Sequence, residues 1–139
     1  MYKQVNTFTK NMGSSGDQVL LGYIQKIDNV GVSGYCNNLT ITAIVNNYDG
    51  GDETPGIICY GSTGASWTDN NVFVARGINT GGTVSLPIKR RIVLDAAETN
   101  SDEGRVYVYA ELTDITVTDD ISMRFVIETW GRFIEFTEA

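Results

Sequence analysis

Residues 105–136 read RVYVYAELTDITVTDDISMRFVIETWGRFIEF, and the alternation inside this stretch decides the fold class. Val106, Val108, Ala110 and Leu112 share one parity; Tyr107, Tyr109, Glu111 and Thr113 share the other. Successive side chains of a strand point to opposite faces, so a period of two marks a half-buried strand with an amphipathic outer face. Ile121, Met123, Phe125 and Ile127 repeat the pattern against Arg124, Val126 and Glu128. The stretch reads as two long strands joined by a polar turn. Beyond Gly131 the apolar residues Ile134 and Phe136 change parity, which predicts a bulge or bend at the glycine within one long final strand. The inward row needs cover, so the upstream chain must supply a second sheet.

Working back from there, short apolar runs separated by turn residues recur. Val19, Leu21 and Tyr23 alternate within 18–27, and Leu39, Ile41, Ala43 and Val45 alternate with Asn38, Thr40, Thr42 and Ile44. Residues 57–60, 72–76, 83–86 and 88–94 complete the set, with Pro87 expected to interrupt the ladder because it has no amide hydrogen to donate. Between them lie the glycine-punctuated turn 29–34, the loop Asp49–Gly56, the turn 77–82 and the acidic loop 95–104. Residues 1–16 read as an irregular arm with Gly13-Ser14-Ser15-Gly16 as a flexible joint. The total is about eight strands with no helical period, which argues for a β-sandwich or barrel.

Bulk properties narrow the function. A chain of 139 residues, 42% hydrophobic and 19% charged, fits one globular domain. No apolar run approaches the roughly 20 residues of a membrane helix, and the N-terminus lacks the apolar core of a signal peptide, so the chain is expected to be either intracellular when made or exported by another route such as cell lysis. The net charge is −7, and of ten Lys and Arg only Lys89-Arg90-Arg91 cluster in sequence. Nucleic-acid affinity depends on neutralising several phosphates at once, so direct packaging of nucleic acid by this chain is not expected. There is no histidine, which removes the commonest general base and zinc ligand. Cys36 and Cys59 sit on candidate strands and read as buried free thiols.

Each candidate site has a plain structural alternative. Asp49, Asp52 and Glu53 offer the oxygen ligands calcium prefers, but without EF-hand spacing they read as a solvated loop; Asp119-Asp120 is a good turn. Glu111 and Glu128 could serve as a glycosidase pair, yet nothing places them beside a cleft. Asn38-Leu39-Thr40 matches a glycosylation sequon inside a strand. Lys89-Arg90-Arg91 reads as a solvated edge. Tyr107, Tyr109 and Trp130, with Trp67, are the stronger signal. Such aromatics fill the ends of a core, stack on sugars or form a protein interface. Arg124 and Glu128 interspersed among them favour the interface, so Tyr107, Tyr109, Arg124, Glu128 and Trp130 are the candidate subunit-contact residues.

The strand at Gly104–Glu111, the strand at Ile121–Phe136, and the Ile88–Leu94 strand with its acidic loop before them resemble the single jelly roll of viral capsid proteins, over roughly residues 17–137. The resemblance implies an all-β, eight-stranded antiparallel β-sandwich over residues 17–139, preceded by a flexible arm over 1–16. It also implies a structural virion protein rather than an enzyme, without cofactor or metal. Such a subunit, made in the host cytoplasm, self-assembles through strand faces and loops into an icosahedral shell, as a homo-oligomer or with other capsid proteins. Capsid chains that package single-stranded genomes usually carry a basic arm; here the arm has only Lys3 and Lys10. The chain is thus expected to lack specific nucleic-acid binding and to enclose an internal membrane or a genome condensed by other proteins. The rival expectation is a carbohydrate-binding β-sandwich, lectin-like or at a phage receptor-binding tip. The initiator Met and the lack of a linker favour a complete protein over an excised module.

Overall fold

The computed structural model describes residues 2–13, 16–27, 34–47, 56–63, 71–78, 82–94, 105–113 and 121–139. Among these, ten strands form two antiparallel sheets. The first sheet runs β1 (Tyr2–Asn11), β9 (Ser122–Arg132), β3 (Gly34–Asn47), β6 (Thr83–Ile88), with β7 (Ile92–Leu94) also pairing β3. The second runs β10 (Ile134–Glu138), β2 (Val19–Lys26), β8 (Arg105–Thr113), β4 (Gly56–Ser62), β5 (Asn71–Ile78). With β6 and β7 taken as one interrupted strand, the pairing is nested. β1 pairs β9, β2 pairs β8, β3 pairs β6 and β7, and β4 pairs β5. A long antiparallel hairpin rolled up so that successive pairs fall in alternate sheets is a jelly roll. β10 is an addition, laid against β2.

The strand count is therefore ten rather than eight, and three sequence expectations change with it. Residues 2–11 are not an irregular arm: they form β1, in register with β9 from Tyr2↔Gly131 to Asn11↔Ser122. β8 and β9 are not a hairpin, because they lie in different sheets. The final strand does not merely bend. It ends at Arg132, Phe133 adopts a left-handed φ of 55°, and β10 continues in the other sheet. Gly131 sits where β9 meets β3 too closely for a side chain, since an added Cβ would lie 2.2 Å from the Tyr35 carbonyl oxygen. The parity change in the sequence is thus a change of sheet. Pro87 stays inside β6, where it is tolerated because β6 is an edge strand.

The core lies between the sheets. Val106, Val108, Ala110 and Leu112 of β8 and Met123, Phe125 and Ile127 of β9 are all fully buried, joined by Leu39, Ile41 and Ala43 of β3 and by Ile57 and Cys59 of β4. Phe8, the one large apolar residue of the inward row of β1 (Gln4, Asn6, Phe8, Lys10), stacks between Phe125 and Phe136 at centroid distances of 5.9 and 6.0 Å. The polar members of that row close the seam between β1 and β10. Gln4 Nε2 donates to the Phe136 carbonyl at 3.2 Å, and the Phe136 amide donates to Gln4 Oε1 at 2.9 Å. Lys10 Nζ donates to the Ala139 carbonyl at 2.9 Å. The opposite seam is held by Arg90, whose guanidinium donates to the Val72 carbonyl of the other sheet.

Candidate functional site

The five candidate contact residues separate onto opposite faces of the sandwich. Tyr107 and Tyr109 belong to the outer face of the second sheet; Arg124, Glu128 and Trp130 belong to the outer face of the first. No single patch contains them all.

On the second sheet's outer face the candidates on β8 are internally satisfied, while Val74 and Ile78 of the edge strand β5 stay exposed. Tyr109 is 6% exposed and pairs across strands with Tyr60, itself 8% exposed. The Tyr60 hydroxyl donates to Glu111 Oε1 at 2.5 Å and Gln18 Nε2 donates to Glu111 Oε2 at 3.0 Å. Burial, reinforced by the Glu111 carboxylate beside it, pushes the Tyr60 phenol up to about 12. Tyr107 packs on Tyr23 with ring centroids 5.9 Å apart, while the Arg105 guanidinium lies 4.1 Å from the Tyr23 ring centroid and donates from Nε to Gln25 Oε1. These groups satisfy one another, and Tyr109 presents almost no surface to a partner. The two cysteines are free and buried, as the sequence predicts, with thiols pushed up to about 11 for Cys36 and about 12 for Cys59 by burial.

The first sheet's outer face is different. Trp130 is 41% exposed and Val5 51% exposed, on neighbouring strands. Lys3 is cross-strand from Trp130 and reaches Glu128, Nζ to Oε2 3.9 Å. With Asn38 and Thr40 of β3 they line a shallow concavity of about 280 Å³. Two residues further along, Arg132 pairs with Tyr35 of β3, and Arg91 lies over the Tyr35 ring at 4.2 Å. Arg132 itself lies 4.8 Å from the Phe133 ring centroid. The structure thus joins Glu128 and Trp130 to Lys3, Tyr35, Arg91 and Arg132. Arg132 was legible, sharing Trp130's parity. Lys3 became visible only once its segment proved to be a strand.

No protein-family model matches the chain, and no curated protein sequence matches it. Among solved structures it is similar to a chain of the cryo-EM structure of Broad Bean Stain Virus, at 6% identity and TM-score 0.48, over 99% of this chain and 90% of that one. A chain of the full particle of Israeli acute paralysis virus heated to 63 degrees is similar at 9% identity and TM-score 0.40, over 99% of this chain and 74% of that one. The tailspike protein of Acinetobacter phage vB_ApiP_P1 is similar at 15% identity and TM-score 0.37, over 96% of this chain but only 22% of the tailspike. These are likenesses of outline, and the jelly-roll assignment rests on the strand order itself.

All ten Lys and Arg lie in the described residues, but of the seventeen Asp and Glu only Asp17, Glu111, Glu128, Glu135 and Glu138 do. Asp49, Asp52, Glu53, Asp119, Asp120 and Trp67 lie outside the described residues. Among the described residues, no group of three or more His, Cys, Asp or Glu is placed to hold a metal. Lys89, Arg90 and Arg91 are all exposed, and within that solvated edge Arg90 and Arg91 also make the contacts above.

Proposed function

We propose that the chain is a structural virion protein, a jelly-roll subunit of a shell that assembles from copies of itself, and that it has no enzymatic role. The observation that carries this reading is the nested pairing of β1 with β9, β2 with β8, β3 with β6 and β7, and β4 with β5. Jelly rolls of this kind build viral capsids and also lectins. A subunit in an assembly needs many polar-rimmed contacts repeated by symmetry, with specificity from shape and charge. The net charge of −7 disfavours a long polyanion, so the shell reading carries no direct genome binding and leaves an internal membrane or a genome condensed by other proteins beneath it. Further jelly-roll subunits are compatible partners.

Light scattering of the purified chain after size exclusion, with negative-stain images of any large fraction, tests the proposal. Rings, sheets or shells are expected. A monomer at every concentration and salt would overturn it.

One observation favours a second reading. The concavity at Trp130 combines an exposed indole with an amide (Asn38), a hydroxyl (Thr40), a carboxylate (Glu128) and an ammonium (Lys3), the groups with which proteins stack on and hydrogen-bond to saccharides. A saturable change in tryptophan fluorescence with simple sugars, absent in Trp130→Ala, would support it.

A further inference from the structure

We infer that two copies of the chain pair the outer faces of their first sheets about a two-fold axis at Val126, so that Glu128 of each copy meets Arg124 of the other. The inference rests on the reading of the chain as a self-assembling subunit and names the face that two copies share.

The even-numbered side chains of β9 point outward, and the ladders to β1 and β3 sort their neighbours into rows. The central row holds Thr7, Val126 and Thr42. One row to one side, Glu128 stands between Val5 and Thr40; one row to the other, Arg124 stands between Thr9 and Ile44. Val5, Thr7, Thr9 and Arg124 are exposed, so the face is open. Arg124 and Glu128 lie four residues apart on one extended strand, about 13 Å at about 3.3 Å per residue, and do not pair within a copy. Among the described residues Arg124 has no ion pair or hydrogen bond, and Glu128 has only the 3.9 Å contact to Lys3.

A two-fold axis lying in the interface and crossing β9 at Val126 runs the second copy's β9 antiparallel to the first. It exchanges the outer rows: each Glu128 comes opposite Arg124, and each Val5 opposite Thr9. Val126, Thr7 and Thr42 meet their own counterparts. The order acid, valine, base along β9 is therefore complementary to itself, as an isologous contact requires. Stacked sheets lie about 10 Å apart, a gap that a guanidinium and a carboxylate span together. Four strands spaced about 4.8 Å apart, over about 30 Å of β9, present on the order of 500 Å² per copy. The pair then buries about 1,000 Å², the size at which a contact becomes specific. Trp130, 41% exposed, falls at the rim over the second copy's Ser122.

The test is charge reversal with exchange, read by sedimentation velocity on the full chain. Arg124→Glu and Glu128→Arg each set like charges face to face at both pairs and should weaken association by roughly tenfold or more. An equimolar mixture of these two variants should restore it, because one supplies the carboxylates and the other the guanidiniums. The double variant Arg124→Glu with Glu128→Arg should restore it within a single protein. Val126→Lys, which brings two ammonium groups together at the axis, should abolish it. Each variant is checked for an unchanged melting transition, with Arg124→Gln and Glu128→Gln standing in for any that fails. Single reversals that associate like wild type, or a mixture that stays apart, overturn the inference; shells formed by the single reversals do so while leaving the shell reading intact. A discrete pair and nothing larger upholds the inference and removes the support for a shell. Wild type that stays monomeric at every concentration and salt overturns both.

Discussion

Glu111 stands on the outer parity of β8, yet it is 9% exposed and both its oxygens accept hydrogen bonds, from Tyr60 and from Gln18. A buried carboxylate left with one acceptor empty is costly, so Tyr60→Phe is expected to lower unfolding free energy by about 1–3 kcal/mol in denaturant titration. The same pair sets an alkaline limit. The Tyr60 phenol is raised from the ordinary tyrosine value near 10 to about 12 in the fold, so its protonated form is favoured by folding. Its contribution is complete below about pH 10 and is lost as pH rises through about 12. Melting temperatures measured across that window should fall more steeply for wild type than for Tyr60→Phe. Cys36 and Cys59, buried with raised thiol pKa values, should resist a disulfide reagent near pH 8 in the native chain and react fully once it is unfolded. None of the Glu111 network was readable from sequence: its partners are 51 and 93 residues away, Tyr60 on β4 and Gln18 just before β2, and parity alone assigned Glu111 to solvent.

β1 shows why an element can be missed outright. Its inward row, Gln4, Asn6, Phe8 and Lys10, has a single large apolar member, so the period-two hydrophobic signal is absent. Two of those polar side chains serve the neighbouring C-terminal segment: Gln4 caps the β10 backbone with two hydrogen bonds, and Lys10 donates to the Ala139 carbonyl. Removing residues 1–11 should therefore abolish cooperative unfolding, where a flexible arm could be deleted without effect; circular dichroism against denaturant decides. Asn6 is the weak point of the strand, with Oδ1 buried and without a hydrogen-bond partner. Asn6→Leu is expected to raise stability by about 1 kcal/mol by removing that orphan acceptor. The β9–β10 junction makes the opposite case. Gly131→Ala should cost at least about 1–3 kcal/mol, because the new methyl would press on the Tyr35 carbonyl oxygen and the Cys36 backbone, neither of which has a flexible end to move aside.

At the scale of the whole molecule, the nested pairing brings β1 beside β9 and β10, and so places Lys3 next to Trp130 and Gln4 against Phe136 across 132 residues of sequence. It gathers cations from β1, β9 and the β6–β7 junction near Trp130. The sequence by itself determined that the chain is all-β, where most of its strands run, and which parity of 106–112 and 121–127 is buried. Those are properties of side-chain alternation along a strand, and they are local. Which sheet each strand joins, that residues 2–11 complete the fold, that Tyr109 is hidden while Trp130 is presented, and that Lys3, Arg91 and Arg132 gather near Trp130 were decided only by the tertiary structure. Strand pairing is a long-range choice, made by the best joint fit of backbone ladders and inward rows, and no single segment carries it.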